Sequence, residues 1–185
     1  KSAIAGVTDT ITSAEGLTTI LNSFNIEVEK SGEVADSLFN TVKLGKTTFE
    51  ELSSNISQVG PIAASSNIPL NEVLATIASL TKQGVPTAQA MTQIRSAIVG
   101  LNESGRLDGT KTLQENMQAL YSTLEGNQTL IQGEIGRIEG VQAILAIAGK
   151  NAQSANKDLQ SYQNTIGATE KAFQEMASSN VNQWA

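Results

Sequence analysis

Neither cysteine nor histidine occurs anywhere in the 185 residues. The first absence excludes disulfides, thiolate metal sites and a cysteine nucleophile. The second removes the usual general base near neutral pH and the commonest metal ligand. Aromatic residues make up only 4% of the chain and there are three prolines, so any core is aliphatic and few backbone positions are rigidly fixed. Basic residues are scarce and scattered, with 12 Lys and Arg against 18 Asp and Glu and a net charge of -6. Nucleic-acid binding by phosphate neutralisation needs clustered cations, which this chain lacks. Long apolar runs are missing too: the longest, residues 143–148, is far too short to cross a bilayer, and no secretory signal is readable at the N-terminus.

What remains is a chain with 39% hydrophobic residues, mostly Ala, Ile, Leu and Val, spaced for helices. Residues 3–23 place Ile4, Val7, Ile11, Ala14, Leu17, Ile20 and Leu21 on one stripe, as one helix or as two around Gly16. A second helix is expected over residues 27–44, with Val34, Leu38, Phe39 and Val42 on one side and Gly32 as a weak point. Thr47 and Glu50 have the spacing of a capping box, which predicts a helix starting at Thr47 with Phe49, Leu52, Ile56 and Val59 inward. Gly60-Pro61 falls inside that stripe and predicts a kink, because Ile62 and Ala63 continue it. Asn67 to Pro69 is the next break, and Gly84-Val85-Pro86 separates two helices that form a hairpin over residues 69–101. Leu70, Val73, Leu74, Ile77 and Leu80 face Met91, Ile94, Ala97, Ile98 and Leu101.

The polar loop 102–109 is the best candidate for a boundary between a core over residues 1–101 and a continuation over 110–185. Its Asp108-Gly109 pair has no alternating strands around it, so a β-hairpin is not expected. Leu113, Met117, Leu120 and Leu124 repeat at helical spacing. Gly126, Gly133, Gly136 and Gly140 follow, each costing about 1 kcal/mol in a helix interior, so helix there needs tertiary support, and Gly136 or Gly140 is the expected point of close helix contact. The glycine spacing fits no nucleotide-binding fingerprint and no strand precedes it. The last predicted helix, 150–179, carries Ala152, Ala155, Leu159, Tyr162, Ile166, Thr169, Phe173 and Met176 at alternating three- and four-residue steps, the seam that coiled-coil packing uses. The fold class is therefore all-α, a bundle of helical hairpins with six to eight amphipathic helices, ending in a long heptad-patterned helix.

Ala35-Asp36 with Leu38, the stretch LGKTTFEELSSN from Leu44, and above all EVLATIASLTKQGVPTAQAMTQIRSAIVGL ending at Leu101 resemble the core domain of the phage tail tape measure proteins, a family with prototypes in phages of Gram-positive hosts. The similarity continues less densely through EIGRIEGVQAILAI. Asn67 stands where that family commonly has glycine, and Pro69 where it has a capping Ser or Thr; both replacements suit a turn. The resemblance implies a virion protein that fills the tail lumen, sets tail tube length by its own length and leaves ahead of the DNA. It implies as partners the tail tube protein, tail assembly chaperones and baseplate or tail-tip proteins, with self-association through helices, and a period in the host cytoplasm during assembly. Members are usually much larger, so this chain is expected to be a piece of a longer one.

A generic helical interaction module of a secretion or signalling system, built on the seam of residues 150–179, shares the composition but gives no reason for the Thr81 to Arg95 pattern. A wall-degrading enzyme would need a carboxylate pair, and Glu27, Glu29, Glu33, Asp36, Glu50, Glu51 and Asp108 are available. The first six fall on amphipathic helices at positions that read as solvated. Arg95 and Arg137 read as exposed partners for a nearby Glu or a helix-end carbonyl. No catalytic, cofactor-binding or metal-binding residue is assigned, no cofactor is expected, and the chain is read as a non-enzyme.

Overall fold

The computed structural model describes residues 10–172 and 174–175; the expected stripe positions Ile4, Val7, Phe173 and Met176 lie outside them. Between Thr10 and Asn164 the chain forms ten α-helices and four short 3-10 segments, with no strand among the described residues. The helices are α1 (Thr10–Phe24), α2 (Ser31–Leu44), α3 (Phe49–Asn55), α4 (Gly60–Ser65), α5 (Leu70–Lys82), α6 (Thr87–Glu103), α7 (Leu113–Thr123), α8 (Gln128–Ile135), α9 (Ile138–Ile147) and α10 (Ala152–Ser161). The all-α expectation holds.

The helices are short because the sequence stops each one. Asn25, Asn67 and Gly84 adopt left-handed backbone, at φ 52°, 55° and 94°. The next residue then donates its N–H back across the turn: Ile26 to the carbonyl of Leu21, Ile68 to Ala63 and Val85 to Leu80. This is the Schellman closure, with an apolar residue after the left-handed one to seal the helix end. Restarts are equally local. Pro69 and Pro86 sit at the N-cap positions of α5 and α6, and Thr112 with Glu115 forms a complete capping box at α7. Asn127 accepts from the N–H groups of Thr129 and Leu130 to start α8.

Three local expectations are corrected. The capping box at α3 uses Thr48 and Glu51, one residue later than Thr47 and Glu50. Both pairs have the required spacing; in the later register Glu51 accepts from the Thr48 N–H and lies 3.2 Å from Thr87 Oγ1, and Phe49 and Leu52 are in the core as expected, at 4% and 0% exposure. Thr47 is buried and its hydroxyl accepts from Thr87 at 2.8 Å. Gly60-Pro61 produces a break instead of a kink: α3 ends at Asn55, Ile56–Gln58 tightens into 3-10 helix and α4 begins at Gly60 with Pro61 in its first turn. There the missing N–H is no loss, and Ile56, Val59 and Ala63 remain fully buried. The single long helix over residues 150–179 is divided as well. A 3-10 turn at Gly149–Asn151 precedes α10, another at Tyr162–Asn164 follows it, and Gly167 at φ 84° separates these from helical residues 168–172. Ile166, assigned to the seam, is 81% exposed.

Packing centres on α5 and α6. Ten of the thirteen residues of α5 are buried, as befits a helix enclosed on all sides; it touches α2, α4, α6, α7, α9 and α10. The turn at Gly84 folds α6 back against α5, and α6 in turn packs on α3, α8 and α9. One cluster of buried side chains runs from Ile20 to Tyr162. The polar loop 102–109 therefore joins two stretches of chain that share a core.

Candidate functional site

The buried polar residues are the obvious place to look for chemistry, because each must be matched by a partner. Asp158 is 5% exposed. It accepts from Lys82 Nζ at 2.6 and 2.8 Å and from Ser79 Oγ at 2.8 Å. Asp36 is equally buried and accepts from the backbone N–H groups of Gly167 and Thr169, at 2.6 and 2.9 Å, and from the Thr169 hydroxyl. A carboxylate at the start of the helical residues 168–172 satisfies open N–H groups and complements the helix dipole. The Thr41 hydroxyl donates to the Ser37 carbonyl at 2.8 Å and lies 2.8 Å from the Tyr162 hydroxyl, so Tyr162 is the donor between them. Burial pushes the Tyr162 phenol above its ordinary pKa; the Thr41 bond opposes this and the charge of Asp158 adds to it. Asn40 Nδ2 completes the row by donating to Ser161 Oγ at 3.0 Å.

Ser79, Lys82 and Asp158 line a cavity of about 160 Å³, below the several hundred Å³ usual for a small-molecule site, and there they are bonded to one another. Together the buried polar groups join α10 and the turn after it to α2 and α5. A second set joins α7 to α5: Glu72 accepts from the Leu113 N–H at 2.6 Å, and Gln114 Nε2 donates to the Glu72 carbonyl and to Thr76 Oγ1. Burial raises the pKa of Glu72, the Leu113 bond lowers it, and the neighbouring charge of Glu115 raises it. A cavity of about 660 Å³ lies between the end of α1, α2 and the turn from α4 to α5. Phe24, Ile26, Val34 and Ile68 line it, with Glu27, Lys30 and Glu33 along its edge. Among the described residues no group of three or more carboxylates is placed to hold a metal ion.

The carboxylates named from the sequence separate into three kinds. Glu27, Glu29, Glu33 and Glu50 are exposed. Glu51 belongs to the α3 capping box and reaches Thr87 Oγ1 at 3.2 Å, while Asp108 holds its own loop through Thr110 and Lys111. Those bonds, the Thr110 hydroxyl first, hold the Asp108 carboxyl well below the usual carboxylate range. Asp36 is the correction: in place of the expected solvated charge it is a buried cap. Its partners lie 131 and 133 residues away, which no local pattern reveals. Arg95 and Arg137 are exposed, and the guanidinium that pairs with a carboxylate in this part of the fold is Arg106, bidentate to Glu134 at 3.1 and 3.3 Å.

Such an arrangement defines a structural helical bundle, in which interior polar groups fasten one helix to another. The comparisons agree. The chain matches the phage-related minor tail protein family over residues 1–184 and belongs to that family. It is 28% identical over 200 residues to a protein described as a probable tape measure protein of Clostridium phage phiCD119, covering 96% of this chain and 21% of that protein. It is 24% identical over 154 residues to the tape measure protein of Pneumococcus phage Dp-1, covering 82% of this chain and 12% of the relative. The chain thus spans about a fifth or less of the length of these relatives. No solved structure matches it. Among the described residues no helix is long and apolar enough to cross a membrane.

Proposed function

We propose that this chain is a folded helical module of a tape measure protein, part of a ruler whose length sets the length of a phage tail tube. The observation that carries this reading is the family match across nearly the whole chain, together with two relatives both described as tape measure proteins. The module works without catalysis. Its place is the lumen of the virion tail, after a stage in the host cytoplasm, and its partners are the tube protein, assembly chaperones and tail-tip or baseplate proteins. It leaves the tail before the DNA.

The test is an in-frame deletion of these residues from the parent gene, with tail lengths measured by electron microscopy. A helix advances about 1.5 Å per residue, so 185 residues drawn out as helix correspond to about 280 Å of tail. A compact domain of this size has a radius of gyration of roughly 16 Å, so its removal as a folded body shortens the tail by about 40 Å or less. Shortening near the first figure supports a counted, drawn-out segment; shortening near the second supports a folded module carried on the ruler. Tails of unchanged length overturn the assignment, and clearing of cell wall by the purified chain overturns the non-catalytic reading.

A further inference from the structure

The last described stretch is held by different forces from the rest of the bundle. Of the side chains in α10 and the 3-10 turn after it, Ala155 and Tyr162 are buried hydrophobics and Leu159 is half-buried. In α9, one element earlier, Val141, Ala143 and Ile144 are fully buried and Ile147 nearly so. Apart from those few apolar side chains and a light contact of α10 with α7, what holds residues 152–172 down is polar: Asp158 with Lys82 and Ser79, Ser161 with Asn40, Tyr162 with Thr41, and the Gly167 and Thr169 N–H groups with Asp36. Every bond in this set crosses to α2 or α5. Breaking an apolar contact costs in proportion to the area wetted, whereas a polar pair that opens to water exchanges one set of hydrogen bonds for another at a small net cost. The chain also has a place to turn. Ala148 is extended at the end of α9, and Gly149 follows in left-handed backbone at φ 62°, a conformation glycine adopts without strain.

We propose that residues 152–172 form a strap that lifts from the α2/α5 face and returns to it as one unit, turning at Gly149, while the α5, α6 and α9 core stays folded. Lifting lengthens the module in a single step and wets a face of α5 that carries Ser79 and Lys82 and a face of α2 that carries Asn40 and Thr41. The polar character of those faces makes the open form accessible. The proposal stands on packing and hydrogen bonding alone, so it survives or fails independently of the tail assignment.

The absence of cysteine allows a direct test. Ala155→Cys places a thiol under the strap at a site 2% exposed, and Ala143→Cys places one in α9 at a site 0% exposed. Under native conditions iodoacetamide should label the first at least ~10-fold faster than the second, because sub-global opening precedes global unfolding. Adding Asp158→Asn should speed labelling at position 155 by a further ~10-fold, the loss of a charged hydrogen-bonded pair, with little change at position 143. Lys82 is 39% exposed at its side chain and reaches water in that variant, so no cation is stranded. Equal labelling of the two thiols, or an equal response of both to Asp158→Asn, overturns the strap. Should a cysteine variant fold poorly, hydrogen exchange on the unsubstituted chain decides the matter: amides of α10 exchanging together and at least ~10-fold faster than those of α6 and α9 support the strap, and one common rate refutes it.

Discussion

The contact of α9 with α6 and the contact of α10 with α5 and α2 join neighbouring helices to the same core by opposite means. At the first, Gly140 brings α9 so near α6 that a methyl group there would lie 2.9 Å from the backbone of Ser96 and Ala97. Gly100 makes a similar close approach to Ile135. Buried Val141, Ala143, Ile144 and Ile147 make up most of the α9 side of this seam, crossed by one polar pair in which Gln93 Nε2 donates to Gln142 Oε1 at 3.0 Å. At the second, two buried carboxylates, a tyrosine hydroxyl and an amide span the gap. A close apolar seam derives its energy from area and packing density and has no charge to titrate. A polar joint supplies direction and register, with a smaller net energy. The two contacts teach which part of the module is permanent and which is adjustable.

The largest effect should come from spoiling the apolar seam. Gly140→Ala forces a Cβ to within 3 Å of two backbone atoms and of Ile135 Cγ2, a strain of about 2–3 kcal/mol for overpacking, offset in part by the gain of about 1 kcal/mol in helix propensity. A net loss of about 1–2 kcal/mol in urea unfolding is expected, with the whole bundle melting together. The control is Gly133→Ala in α8, where a Cβ meets nothing within 4 Å; the same substitution there should stabilise by about 0.5–1 kcal/mol. If both glycines respond with the same sign, close approach is not what fixes Gly140.

A smaller and more local effect is expected at the polar joint. Tyr162→Phe keeps the buried ring but removes the hydroxyl that donates to Thr41. Thr41 keeps its own bond to the Ser37 carbonyl, so about 1 kcal/mol is lost. Hydrogen exchange should show that loss in residues 152–172, with the amides of α6 and α9 unmoved. A loss spread evenly over all helices would place this joint in the same cooperative unit as the seam.

These two contacts also mark how far the sequence could be read. Stops and starts were legible because they are local chemistry: Asn67, Pro69, Gly84 and Pro86 act within one turn of themselves. The fault at Thr47 was a choice between two equivalent boxes, settled only by the distant contact that buries Thr47 against Thr87. Gly140 was legible as an expensive residue in a helix, which implies a tertiary reason for its presence. Asp36 and Asp158 were not, because a buried carboxylate on an amphipathic helix has the same pattern as a solvated one until its distant partner is known. The three- and four-residue steps of residues 150–179 likewise ran on past Gly167, where a left-handed turn and the Asp36 cap interrupt the helix.

The finest distinction between the two kinds of contact is their response to pH, and Glu72 offers it. Its carboxylate, half-buried between α5 and α7, accepts from the Leu113 N–H, and burial leads the causes that raise its pKa above the ordinary carboxyl value. The folded chain therefore keeps this proton when the unfolded chain has already released it. As pH rises from the ordinary carboxyl range, about 4, through the raised value, the unfolded state gains relative to the folded one, so Glu72 detracts from stability above that window and not below it. Glu72→Gln retains a carbonyl oxygen for Leu113 and carries no charge. It should be neutral in urea unfolding at the acid end of the window and modestly stabilising near neutral pH, the gain kept small by the exposed half of the side chain. The loss from Gly140→Ala should be the same at both pH values, since no ionisable group lies in that seam's close contacts. A gain for Glu72→Gln that is larger in acid would reverse the sign and show that the carboxylate's bond to Leu113 outweighs its burial.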